Sequence, residues 1–204
     1  DGEVMGNSLD QVVRNVITGG TTIQYASTAG SRGGVASGMR MNASEIREAV
    51  STLENNSAKR FPDGFYHAIL HPHSKWDLMA DSDIINSFQY AGPRDGQNPL
   101  FQGMMGDYHG VRFFQSSNAR IRTSLGLSGA DIYQTLVMGE QSYMVNEFDA
   151  MSSRAIIKPV GSSGTSDPLD QLATVGWKAA VTAAILNQTW LVSIESTSRA
   201  GAQG

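Results

Sequence analysis

His67, His71 and His73 fall in one short stretch, and Asp77 follows them. Imidazole nitrogens with a carboxylate oxygen form an ordinary zinc set. Residues two or four apart on a strand share a face, so His67 and His71 could converge on one ion. Pro72 interrupts the strand before His73, so the spacing does not secure a third ligand. The same residues serve equally well as hydrogen-bonding groups at a strand end. That plainer use is the expectation, and no metal is assigned.

Other chemistry is thinner still. Asp107 and His109 form an Asp-x-His pair in GDYHGV, a pattern compatible with acid–base work. Its glycines read instead as a turn leading into a strand. Ser162 and Ser163 lie between Gly161 and Gly164, but the spacing is not that of a nucleophile elbow. Asp81 and Asp83 read as solvated residues at a turn or helix start. No P-loop and no G-x-G-x-x-G occurs. Trp177, Trp190, Tyr133 and Phe113 read as packing residues, and Trp177 is expected to be buried, in the core or against a neighbour. The chain has no cysteine, which excludes disulfides, thiolate catalysis and Cys-based zinc sites. The expectation is therefore a non-enzyme: no catalytic residue, no cofactor and no small-molecule substrate. A metal-dependent enzyme using His67 and His71 is the weaker alternative.

The elements that would carry these residues come from periodicity. Leu9, Val12, Val13, Val16 and Ile17 make one apolar helical face, stopped by Gly19-Gly20. Ser8 with Gln11 has capping-box spacing, unless the helix runs upstream through Met5. Residues 26–41 are rich in Gly, Ser and Ala and read as a loop. Asn42 and Glu45 have N-cap and N3 spacing before the stripe Ile46, Ala49, Val50, Leu53, and Asn55-Asn56 ends that helix. FYHAILHP from Phe65 reads as a buried strand, and residues 74–79 as a short helix. The Gly- and Pro-rich stretch 91–109 reads as a long, exposed and mobile loop. Strands are expected in GVRFFQSS, DIYQTLVMG, SYMVNEF and AIIKPV. Alanine content favours helix for VGWKAAVTAAIL, while its alternation favours strand, which is the reading adopted. TWLVSIEST is a strand buried on at least one face. Irregular mixing of helices and strands favours α+β.

The 204 residues suffice for one sizeable domain or two small ones. Net charge is −4 with acid and base interspersed, and no Lys/Arg run forms a phosphate-binding stripe. Contact with DNA is therefore expected to be weak and non-specific. No apolar run reaches 18 residues, so no membrane partner is expected.

Several stretches, in order, resemble the coat proteins of tailed phages with the Hong Kong-type capsid fold. LDQVVRNVITGGT resembles the end of that family's long helix, and NASEIREAVSTLENNSA its next helix. Tyr66, Ala68, Ile69, Leu70, His71, Pro72, Asp77 and Leu78 match a Tyr-small-Ile-apolar-His-Pro…Asp-Leu segment. Gly106, Gly110, Val111, Ser117, Asn118 and Ala119 match a second, and DIYQTLVMGEQSY resembles the strand after it. The most specific match is the last: Asp167-Pro168-Leu169-Asp170-Gln171, then Val175-Gly176-Trp177-Lys178, then Ile185-Leu186-Asn187.

The resemblance implies an α+β shell subunit. Residues 1–25 and 146–188 would form a peripheral domain, and residues 26–145 and 189–204 an axial domain. It puts residues 175–186 in a strand and the 91–109 loop near a capsomer axis. It implies a homo-oligomer of capsomers in an icosahedral shell, located in the virion and assembled in the bacterial host cytoplasm. A shell-forming compartment protein of the same fold is the alternative. Family members carry an N-terminal arm and an extended loop before the long helix, so this chain reads as a fragment lacking both, able to fold but not to close shells alone.

Overall fold

The computed structural model describes residues 2–91, 106–147, 154–162, 169 and 171–201. The architecture is α+β, as expected. Its centre is a six-stranded mixed sheet built on β1 (Ile23–Tyr25), β2 (Tyr66–Leu70), β3 (Val111–Gln115), β4 (Ile121–Arg122), β5 (Ile132–Met138) and β10 (Leu191–Ser196). The order is β1-β10-β5-β2-β3, with β4 pairing β5 beside that path. β1 with β10 and β2 with β3 run parallel, whereas β5 is antiparallel to both β10 and β2.

Helix α2 (Ala43–Asn55) begins where the spacing predicts: the Asn42 side chain accepts from the Glu45 amide. Its stripe Ile46, Ala49, Val50 and Leu53 packs on Val137, Val192 and Ile194 of the sheet. Helices α3 (Pro72–Met79) and α4 (Ser82–Ala91) fill the crossover from β2 toward β3. Leu78 and Ile84 join the same cluster. Helix α1 (Gly2–Ile17) meets the opposite face, where Ile17 packs with Leu136, Met138 and Leu191. Both faces of β5 and β10 are thus buried, so β10 is covered on both sides and not only one.

Ser8 is not a cap. α1 already starts at Gly2, so Ser8 sits inside the helix and its hydroxyl donates to the Val4 carbonyl.

Two further strand pairs are not hydrogen-bonded to the sheet, although Tyr143 and Ile185 of one of them pack against the Ile17–Leu136–Met138–Leu191 cluster. β6 (Tyr143–Glu147) pairs with β9 (Val181–Ile185), and β7 (Arg154–Lys158) pairs with β8 (Thr174–Lys178). Residues 175–186 are extended, as expected, but interrupted: Ala179 and Ala180 separate two strands with different partners. Trp177 is 37% exposed rather than buried in a core. The alternation around it is real, yet among the described residues no second layer covers β7 and β8. Positions 92–105 of the expected long loop lie outside the described residues.

Ile194 is fully buried between α2 and β5. Ile194→Ala should cost about 2–5 kcal/mol, measured as a lower urea midpoint with an unchanged m-value.

Candidate functional site

β2 alternates Tyr66, Ala68 and Leu70 inward with His67 and Ile69 on the opposite face. His67 stacks on Phe61, with ring centroids 3.8 Å apart, and its Nε2 lies 3.0 Å from Asp63 Oδ2. Asp63 also accepts from Arg112 Nη1 at 2.7 Å, and Arg112 grips both oxygens of Asp107 at 3.0 Å. The His67 hydrogen bond holds the Asp63 carboxyl below its ordinary value, assisted by the Phe65 amide and the Arg112 charge.

His71 behaves differently. The strand ends at Leu70 and Pro72 opens α3, so His71 becomes the N-cap, its Nδ1 accepting from the His73 amide at 3.2 Å. His73 Nδ1 lies 2.9 Å from the Tyr133 hydroxyl. Burial, followed by the neighbouring His73, pushes the His71 imidazole below its ordinary value. Burial pushes the Tyr133 phenol up, with Asp131 and Asp77 adding to it. Asp77 accepts from the Arg199 amide.

The pairing of His67 with His71 on one strand face is therefore not formed. His67 belongs to an Asp63–Arg112–Asp107 surface cluster, and His71 to the start of α3. Among the described residues no group of three His, Cys, Asp or Glu is placed to hold a metal. His109 occupies a left-handed turn position, φ 50°, and Asp107 is committed to Arg112. The Ser162 hydroxyl donates to the Pro159 carbonyl, while Ser163 lies outside the described residues. Asp81 accepts from the Ala43 and Asp83 amides, and Asp83 pairs with Arg47. Phe113 and Trp190 pack against the main core.

The most organised polar cluster is one that periodicity does not single out. Glu195, fully buried on β10, accepts from Arg32 Nε and Nη2, both at 2.7 Å. Arg122 Nε lies 3.5 Å from the same carboxylate. Arg122 Nη2 also donates to the Thr18 carbonyl at 3.3 Å, and Arg120 Nη1 to the Thr18 hydroxyl at 3.0 Å. Gln134 Nε2 donates to the Thr18 carbonyl and to Ser193 Oγ. Thr18 directly follows the last residue of α1, where free carbonyls and the helix dipole attract cations. Two negative ends, a carboxylate and a helix terminus, thus share three arginines. The Glu195 hydrogen bond raises the Arg32 pKa. Burial lowers that of Arg122, and repulsion from Arg32 and Arg120 lowers it further. The Glu195 carboxylate and the Thr18 and Ser193 hydroxyls are all engaged by Arg or Gln donors within the cluster. What it does is lock the end of α1 to the central sheet. Its one signal in the sequence is a lone carboxylate inside an apolar strand.

α1 in turn packs along β9. Beyond it, β7 and β8 are exposed along their whole length. Their register opposes Ala155 to Trp177 and Ile157 to Val175 on one face. Ile157 is 69% exposed and Val175 54%. An isolated two-stranded ribbon is marginal in water, so this apolar face is suited to a protein partner.

No protein-family model matches the chain, and no curated protein matches it. Solved structures do. The capsid asymmetric unit of cyanophage Pam1 aligns with 87% of this chain at a TM-score of 0.68 and 20% identity, over 54% of its own length. The capsid structure of cyanophage P-SCSP1u aligns with 97% of this chain at 0.67 and 14% identity, over 64% of its own length. The encapsulin complex of Synechococcus elongatus aligns with 96% of this chain at 0.52 and 10% identity, over 62% of its length. The chain thus spans between half and two thirds of the length of these structures. Its fold is the Hong Kong-type capsid fold.

Glu195→Gln removes the charge that Arg32 and Arg122 share. The expected loss is about 3 kcal/mol, the low end for a broken buried pair, because the Arg32 side chain remains 30% exposed. Chemical denaturation measures it, and a loss below measurement error would mean that the joint is ornamental.

The depressed His71 value sets a pH dependence. The unfolded chain binds its proton at the ordinary value, and the folded chain only below that value. Stability from neutral His71 is complete above the ordinary histidine value. It is lost as pH falls from there to the depressed value. His71→Asn keeps a capping side chain and removes the titration. Urea midpoints should therefore fall less for this variant than for the parent between about pH 7.5 and 5.5, a window straddling the usual histidine range.

Proposed function

We propose that this chain is a structural subunit of a tailed-phage or prophage capsid, self-assembling into capsomers that enclose a DNA genome. The observation that carries the reading is the alignment of nearly the whole chain with phage capsid subunits. The physical form agrees. A shell subunit needs shape and edges rather than a reactive cleft. Identical copies meet through head-to-tail contacts that close into rings, and many modest contacts multiply into a stable shell. On this reading the protein is not an enzyme. It resides in the virion and is assembled in the host cytoplasm.

The division into a peripheral domain (1–25 and 146–188) and an axial domain (26–145 and 189–204) belongs to the same proposal. β7, β8 and β9 lie in the first, and most of the six-stranded sheet in the second. β1 pairs within that sheet, which favours a boundary near Gly20 over one after Tyr25.

The encapsulin likeness supports a second reading, a shell-forming compartment that holds cargo protein. The phage capsids superpose more closely, at 0.68 and 0.67 against 0.52. Particle contents separate the two: nucleic acid supports the first, a co-purifying enzyme the second.

The apolar ribbon face supplies the test. Ile157→Asp should weaken self-association at least tenfold, since burying an isoleucine contributes about 1.5–3 kcal/mol. Its unfolding midpoint should be unchanged, because the side chain touches solvent. Sedimentation velocity with negative-stain imaging reads the first, and urea titration the second. A parent chain that stays monomeric at every concentration would overturn the shell reading.

A further inference from the structure

The other face of the same ribbon carries a different pattern. Its register opposes Arg154 to Lys178, Ile156 to Gly176, and Lys158 to Thr174. Because side chains alternate across a strand, these residues share the face opposite Trp177 and Ile157. Arg154, Lys158 and Lys178 are all exposed. None makes an ion pair among the described residues, and the described parts of residues 154–162 and 171–186 contain no acidic residue. Two cations of β7 and one of β8 are thus gathered on one surface while the whole chain carries −4.

We infer that the Arg154–Lys158–Lys178 face of the β7–β8 ribbon binds the phosphate backbone of duplex DNA, without reading its sequence. The inference builds on the shell reading, which supplies the DNA.

The geometry suits a polyanion. Arg154 and Lys178 are directly opposed, about 5 Å apart at Cβ. Lys158 lies four residues further along β7, about 13 Å away, a span matched by about four base-pair steps. Gly176, with open space where a side chain would stand, leaves the centre of the face low. A protein acidic patch is the poorer fit. Protein interfaces seat aromatic and apolar anchors at their centre; here Trp177, Ile157 and Val175 occupy the other face, and among the described residues this face holds Ile156 alone of the large apolar side chains. Exposed Lys and Arg without directional partners are the usual means of sequence-independent phosphate contact. Three such contacts are weak singly, and a shell repeats them many times over.

The test measures binding of the 204-residue chain to a fluorescent 30-base-pair duplex by anisotropy at several salt concentrations. Three phosphate contacts predict a log–log salt slope near about −2.7, so affinity falls about 40-fold between about 50 and 200 mM salt. The variant with Arg154→Gln, Lys158→Gln and Lys178→Gln should lose at least about tenfold in affinity at low salt and most of the slope. A control with Arg47→Gln, Lys59→Gln and Arg60→Gln should keep both. The inference fails if the parent does not bind at low salt, or if the ribbon variant binds as the parent does. It fails equally if poly-glutamate binds where duplex does not, or if the ribbon variant loses self-association, since either makes the face a protein contact. Self-association is scored separately. A parent that binds duplex but never associates would sink the shell reading and leave this site standing.

Discussion

A carboxylate at the centre of a sheet buried on both faces cannot stay ionised without close cationic partners. Glu195 is that carboxylate, and meeting its charge organises much of the surroundings. Arg32 arrives from a Gly-rich segment with no regular structure beyond short 3₁₀ turns. Arg122 arrives from the two-residue strand β4. Each reaches the central strand because Glu195 is there. Arg122 then continues to the Thr18 carbonyl and, with Arg120 and Gln134, fixes where α1 ends. Ion pairs of this kind add little net stability over well-packed apolar residues. Their contribution here is geometric. They set the position of α1 against the sheet, and with it the strand pair packed along that helix.

Local signals were legible wherever a pattern is complete in a few residues. The Asn42 cap and the stripe after it define α2, and the FYHAILHP run defines β2. Pairings distant in sequence were not legible. Glu195 meets Arg32 across 163 residues, and no periodicity records that. His67 and His71 share strand spacing on paper, but Pro72 is a good first residue for a helix, so His71 turns away to cap α3. Trp177 shows the other limit. Alternation reports that one side of a strand is apolar. Whether another layer covers that side depends on the tertiary structure or on a partner, and β7–β8 has neither among the described residues. The ribbon cations were missed because a run of charge was sought along the chain, while antiparallel pairing assembles one across it.

The division of labour in the molecule follows from these facts. The six-stranded sheet with α2 is a conventional core that needs nothing from outside. The β7–β8 ribbon is the reverse: two short strands, an apolar face and a cationic face, neither satisfied internally. A monomeric binding protein has little reason to keep such an element extended in water. On the proposed shell reading the apolar face has a use, because a surface left open in one copy can be covered by the next.

The strand order carries a consequence for synthesis. β10 is the last strand among the described residues, yet it sits between β1 and β5 and joins them. Until residues 191–196 have left the ribosome, β1 has no sheet partner and one long side of β5 lacks its neighbour. Pairing at such sequence distances is slow, and unpaired edges on nascent chains are prone to aggregation. Here the joint that positions α1 also waits for Glu195, which arrives with that same late strand. A growing polypeptide therefore cannot hold its outer elements in their working arrangement before translation of this region is finished. The topology acts as a timer, coupling completion of the sheet to the synthesis of residues 191–196.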